Sequence, residues 1–125
     1  MDLATATVGQ LLIPVTDLDR AIGYYRDTLG LPFLFSAPPQ MSFFQAGAVR
    51  LLVGVPEPGR QADRGSAVYF KVADIQAVYE TLKARGAAMA APPHVVHRTP
   101  TIELWLCEFK DPDGNTLALM SEVAL

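Results

Sequence analysis

A shift of 57 residues lays the second half of this chain over the first, placing Val15 on Val72, Asp17 on Asp74, Leu18 on Ile75 and Tyr25 on Leu82. The aligned positions are the ones that write a strand followed by a helix. Short apolar runs, Gln10 to Val15 and Ala67 to Val72, read as strands. Behind each stands a capping residue, Thr16 or Asp17 in the first copy and Asp74 in the second. Then apolar residues recur at helical spacing: Leu18, Ala21, Ile22, Tyr25 and Leu29, and later Ile75, Val78, Tyr79 and Leu82. Gly30 and Gly86 stand where a left-handed residue closes a helix.

After each helix come three shorter β-like runs. They are Leu31–Ser36, Met41–Gln45 and Val49–Val55 in the first copy, then about Val95–Arg98, Glu103–Phe109 and Thr116–Met120 in the second. Turn signals separate them, among them Ala37-Pro38-Pro39, Ala46-Gly47 and Asp111-Pro112-Asp113-Gly114. The expected fold is therefore α+β. Two tandem βαβββ modules form a curved mixed sheet around a cleft, with the helices on the outer face. Module one covers about 8–56, a Pro- and Gly-rich linker about 56–65, and module two about 66–123. The whole chain of 125 residues is one domain's worth.

Composition narrows the function classes. Half of the residues are hydrophobic and 18% are charged, enough apolar surface for a real core. Net charge is −3 with no basic stripe, which argues against nucleic acid. No stretch approaches the roughly 18–20 apolar residues of a membrane span. The start of the chain has no basic segment followed by a long apolar run, so it does not read as a secretory signal, and a cytoplasmic protein is expected. Cys107 is the single cysteine, which excludes an internal disulfide and a Cys-rich zinc site.

With these motifs in this order, the chain resembles the vicinal oxygen chelate superfamily, which holds glyoxalase I, bleomycin-resistance proteins and extradiol dioxygenases. The likeness rests on Ile13-Pro14-Val15-Thr16-Asp17-Leu18-Asp19-Arg20-Ala21 and Tyr24-Tyr25-Arg26-Asp27-Thr28-Leu29-Gly30-Leu31 in the first half. In the second it rests on Phe70-Lys71-Val72-Ala73-Asp74-Ile75 and Phe109-Lys110-Asp111-Pro112-Asp113-Gly114-Asn115. It implies a single glyoxalase/bleomycin-resistance-like domain over 1–125, and a homodimer. It does not imply one activity, because the scaffold hosts many chemistries.

Metal-dependent members of that superfamily place four ligands in the cleft. The resemblance puts those places at Gln10, near Leu52, at Ala67 and at Ala118. A divalent ion needs several oxygen or nitrogen donors to replace its hydration shell, and Leu and Ala supply none. The neighbours Arg50, Leu51 and Val53, or Leu117 and Leu119, are no better. No metal and no cofactor are expected. A relocated site would have to use His94, His97, Glu103 and Cys107, and an extended strand sends His94 and His97 to opposite faces. Asp111, Asp113 and Asn115 suggest a calcium loop only superficially, since a strand follows at once.

Strand alternation proposes the cleft lining: Gln10 with Leu12, Arg50 with Leu52, Ala67 with Tyr69 and Lys71, and Ala118 with Thr116 and Met120. The cluster Phe33, Phe35, Phe43 and Phe44 is expected to close its side. Along Glu103–Phe109, either Glu103, Trp105, Cys107 and Phe109 face inward or Leu104, Leu106 and Glu108 do. The ligand-binding set so expected is Gln10, Leu12, Phe35, Phe44, Arg50, Leu52, Ala67, Tyr69, His94, Trp105, Ala118 and Met120. Candidate acid/base residues are His94, stiffened by Pro92-Pro93, and Glu103.

Two functions fit. One is a metal-independent binding protein of the glyoxalase/bleomycin-resistance type, holding a small organic ligand in an apolar cleft. The acidic balance suits a cationic or neutral aromatic ligand. The alternative is a metal-free lyase or isomerase using His94 or Glu103.

Overall fold

The computed structural model describes residues 2, 4–59, 62 and 65–125. The anticipated linker at 56–65 lies partly outside them, as do two residues of the N-terminal stretch. The chain divides into two compact units, Met1–Arg64 and Gly65–Leu125.

In the first unit, β1 (Gln10–Pro14) leads to α1 (Leu18–Gly23). Asp17 caps this helix, its carboxylate accepting from the Arg20 amide at 3.1 Å. The helix was expected to run evenly to Leu29. Instead its second half, Tyr24–Thr28, widens into a π-helical turn. Tyr25 stays fully buried on the inner side of that turn. Gly30 takes φ 76°, the left-handed conformation that ends the helix. Three strands follow: β2 (Phe33–Ala37), β3 (Met41–Ala46) and β4 (Val49–Gly54). The sheet order is β1-β4-β3-β2, with β1 parallel to β4 and the other pairs antiparallel.

The second unit repeats this plan. Its β5 (Val68–Lys71) leads to α2 (Ile75–Ala84), capped by Asp74, whose carboxylate accepts from the Ala77 amide at 3.0 Å. Then come β6 (Ala88–Met89), β7 (His94–Arg98), β8 (Ile102–Lys110) and β9 (Thr116–Ala124). β5 pairs parallel with β9, β9 antiparallel with β8, and both β6 and β7 with β8. The strand expected at Val95–Arg98 is thus preceded on the same edge of β8 by the two-residue β6, which the sequence pattern does not announce. Pro92 and Pro93, which lack amide donors, separate the two pieces.

The repeat carries into the parallel ladders, with the 57-residue shift linking their first strands and nine further residues separating the last ones. Leu12 pairs with Leu52 in the first parallel ladder, and Tyr69 pairs with Ala118 in the second. The architecture is α+β with two βαβββ modules, as expected, but its strands form two separate mixed sheets, of four and five strands.

Each sheet buries one face. In the first unit, Ile13, Leu51, Val53, Phe44 and Tyr25 make that core, and the Tyr25 and Phe44 ring centroids lie 5.8 Å apart. Ser42 is buried among them without an orphaned hydroxyl, donating to the Val53 carbonyl at 2.6 Å. In the second, Ile75, Tyr79 and Leu82 of α2 are buried together with Cys107, Phe109, Leu117 and Leu119 of the sheet. The Asp111–Asn115 turn closes on itself. The Asp111 carboxylate accepts from the Asp113 amide at 2.9 Å and from the amide and side chain of Asn115 at 2.8 Å each. Its oxygens are spent on the turn, so it is a structural corner.

Candidate functional site

The face of the first sheet opposite Tyr25 follows directly from the register. Leu12 pairs with Leu52, Leu52 with Phe43, and Phe43 with Phe35. One straight row of large apolar side chains therefore crosses all four strands. Leu12 is 46% exposed and Phe35 44%, both large for apolar residues. The next row, two residues along each strand, is Gln10, Arg50 and Gln45. The Arg50 guanidinium lies over the Phe43 ring, 5.5 Å from its centroid. Phe35 and Phe43 are stacked, with centroids 4.6 Å apart and 28° between planes.

A β-bulge decides which phenylalanines are here. Phe33 and Phe35 would share a face in a regular strand. The register between β2 and β3 shifts between them, so Phe33 opposes Phe44 while Phe35 opposes Phe43. The four-ring cluster expected at one side of the cleft is thereby split. Phe33 packs on Phe44 at 5.4 Å on the helix side, and Phe35 packs on Phe43 on the open side. Phe44, expected to line the site, is fully buried against Tyr25. Phe43 stands on the open side instead, largely covered. The signal that separates them is the pairing register, which a sequence pattern does not carry when four aromatics fall so close together.

The second sheet settles the alternation left open along β8. Cys107 pairs with Leu119, and Leu119 with Phe70, all on the buried helix side. Trp105 and Glu103 share that face by alternation. Glu103 is tied to Arg98 at 2.6 Å, and the Trp105 indole nitrogen is buried without a hydrogen-bond partner among the described residues. Neither belongs with the expected open-face set. The open face carries Tyr69, Ala118 and Glu108 in one row, and Lys71, Met120, Leu106 and His94 in the next. Ala118 is wholly covered there, whereas Tyr69 is 48% exposed. Lys71 meets Glu122 at 3.6 Å. Ala67 is exposed and precedes β5.

His94 and His97 also depart from expectation. A bulge between Val95 and His97 puts His94 opposite Leu106 and His97 opposite Leu104, so both histidines stand on the open face. The His94 Nδ1 lies 3.1 Å from the Pro92 carbonyl. Cys107 is no nucleophile, because burial pushes its thiol up and its Sγ donates to the Ala91 carbonyl at 3.2 Å.

A family model for the glyoxalase/bleomycin resistance protein/dioxygenase superfamily matches residues 7–119. The chain belongs to that superfamily. Among solved structures, a superfamily member from Sphaerobacter thermophilus is 28% identical with a TM-score of 0.75, covering 94% of this chain and 98% of its own. The lactoylglutathione lyase of Agrobacterium tumefaciens is 23% identical with a TM-score of 0.72, covering 93% of each chain. TnmS3, an antibiotic binding protein from Streptomyces sp. CB03234, is 24% identical with a TM-score of 0.72, covering 97% of this chain and 99% of its own. These last two likenesses establish the fold. No curated protein matches the chain.

Superfamily membership raises the metal directly. The residues at the four places the family likeness assigns are Gln10, Leu52, Ala67 and Ala118. Leu52 and Ala118 stand at equivalent points of the two parallel ladders, and both present carbon alone. One neutral amide in four positions does not fit a divalent ion. Among the described residues no group of three or more His, Cys, Asp or Glu side chains could hold one elsewhere.

Proposed function

We propose that this superfamily member is a metal-independent binding protein that holds a small aromatic molecule against the open face of its first sheet. The observation that carries the reading is the Leu12–Leu52–Phe43–Phe35 row, exposed at Leu12 and Phe35 and backed by the buried Phe43 ring, with Leu52 standing at one of the places assigned to a metal ligand. Affinity alone asks for apolar area and a few polar anchors. Leu52 provides the first, and Gln10 and Arg50 provide the second. The reading is supported by the kinship in fold with an antibiotic binding protein. It includes a homodimer working in the cytoplasm.

The test is a thermal-shift screen of aromatic antibiotics on protein treated with chelator, with metal content measured beforehand. A ligand at about 100 times its Kd adds roughly 2.7 kcal/mol to stability, a shift of several degrees. The expected result is less than about 0.1 equivalent of metal, with ligand stabilisation that survives chelation and disappears in Leu52→Glu. Stoichiometric metal, or binding abolished by the chelator, would refute metal independence. Light scattering checks the dimer.

A further inference from the structure

Arg50 is the only ionisable side chain in the four strands of the first sheet. It is exposed, and no carboxylate pairs with it among the described residues. In the second unit the corresponding situation is different, since Lys71 on the open face already faces Glu122 at 3.6 Å. The Arg50 guanidinium is held over the Phe43 ring, so it remains above the sheet beside the stacked pair. Gln10, its register partner on β1, adds an exposed amide that no described side-chain bond occupies, whereas the Gln45 amide nitrogen is spent on the Gly47 carbonyl at 2.7 Å. Successive rows on a strand face lie about 6–7 Å apart. A ring system lying on Phe35 and Leu52 thus brings a substituent on its edge within reach of Arg50.

We infer that this face selects planar aromatic anions, with the ring system on Phe35, Leu52 and Leu12 and a carboxylate or equivalent acidic group read by Arg50 and Gln10. The inference rests on the binding function proposed above and adds the ligand's charge. It reverses the expectation from overall composition, where a net charge of −3 favoured a cationic or neutral ligand. A guanidinium presents a planar fork of donors that matches a carboxylate, and at contact distance such a pair outweighs a mild global charge that salt screens.

The experiment is an NMR titration of the full chain with 2-naphthoate, 2-naphthamide and 2-naphthylmethylammonium, which share a ring system and differ in charge. The expected order is naphthoate tightest, by about tenfold or more over the amide, with the cation weakest. Amide shifts should centre on Gln10, Phe35, Phe43 and Arg50. In Arg50→Gln the naphthoate advantage should shrink to within about twofold, and Arg50→Lys should retain part of it. Naphthoate binding should also weaken with salt while the amide's changes little. Equal binding of all three probes to this face, or an anion preference that survives Arg50→Gln, overturns the charge inference and leaves the binding reading standing. No shifts on β1–β4 with any probe overturns both.

Discussion

The two faces of β3 assign opposite jobs to adjacent phenylalanines, and the same truncation on either side should separate them. Phe44 is fully buried, with ring neighbours Phe33 at 5.4 Å and Tyr25 at 5.8 Å. Truncating such a ring to Ala costs about 3–5 kcal/mol, because the removed contacts leave a cavity. Phe35, across the bulge, is 44% exposed. A little over half of its surface is covered, so about 1 kcal/mol of burial is at stake. Losing its stacking on Phe43 adds about 0.5–1 kcal/mol. Phe35→Ala should thus cost about 1.5–2 kcal/mol, well below Phe44→Ala. Urea unfolding followed by far-ultraviolet circular dichroism measures both, provided the slopes agree with wild type. Ligand binding should show the opposite ranking among folded variants, with Phe35→Ala losing more. A Phe35→Ala cost equal to that of Phe44→Ala, or a Phe44→Ala cost under about 1.5 kcal/mol, would refute the bulged register and the division of faces built on it.

Two further changes test the frame around the site. Asp111→Asn keeps an oxygen for the two backbone amides but sets an amide against Asn115, and should cost about 1 kcal/mol, while Asp111→Ala, which abandons all three bonds, should cost about 2–4 kcal/mol; equal costs in urea unfolding would contradict the turn's structural role. For Cys107, burial raises the folded-state thiol above its ordinary value of 9.0, so its contribution is complete below that pH and is lost as pH rises through the folded value. Native protein should react slowly with a thiol reagent at pH 8, and Cys107→Ala should soften the alkaline decline in melting temperature; rapid native labelling would contradict it.

Much of the fold was legible because its signals are local. Asp17 and Asp74 are capping residues, Gly30 and Gly86 are helix ends, and the Asp111–Asn115 run is a turn, each by its own chemistry. The duplicated pattern extended these into two modules, and the parallel ladders set Leu52 and Ala118 at equivalent points although 66 residues, not 57, separate them. The π-helical turn at Tyr24–Thr28 was not legible, since widening a helix by one residue hardly alters its apolar stripe. The short β6 was equally hidden, being two residues held by pairing with β8.

The candidate site divides along the same line. Residue chemistry alone raised the expectation of metal independence, because Leu52, Ala67 and Ala118 carry no metal donors. It also identified Gln10, Leu12, Arg50 and Leu52 as a strand-face set, since period-two alternation needs only regular strands. Tertiary structure decided everything that passes through a bulge or a partner strand. It exchanged Phe44 for Phe43, brought His94 and His97 onto one face, turned Glu103 and Trp105 toward the helix side, and left Arg50 as a lone charge above an aromatic pair. The physical reason is that one extra residue in a strand costs little locally yet reverses the face of every side chain beyond it. Only the hydrogen-bonded partner strand records where that residue lies.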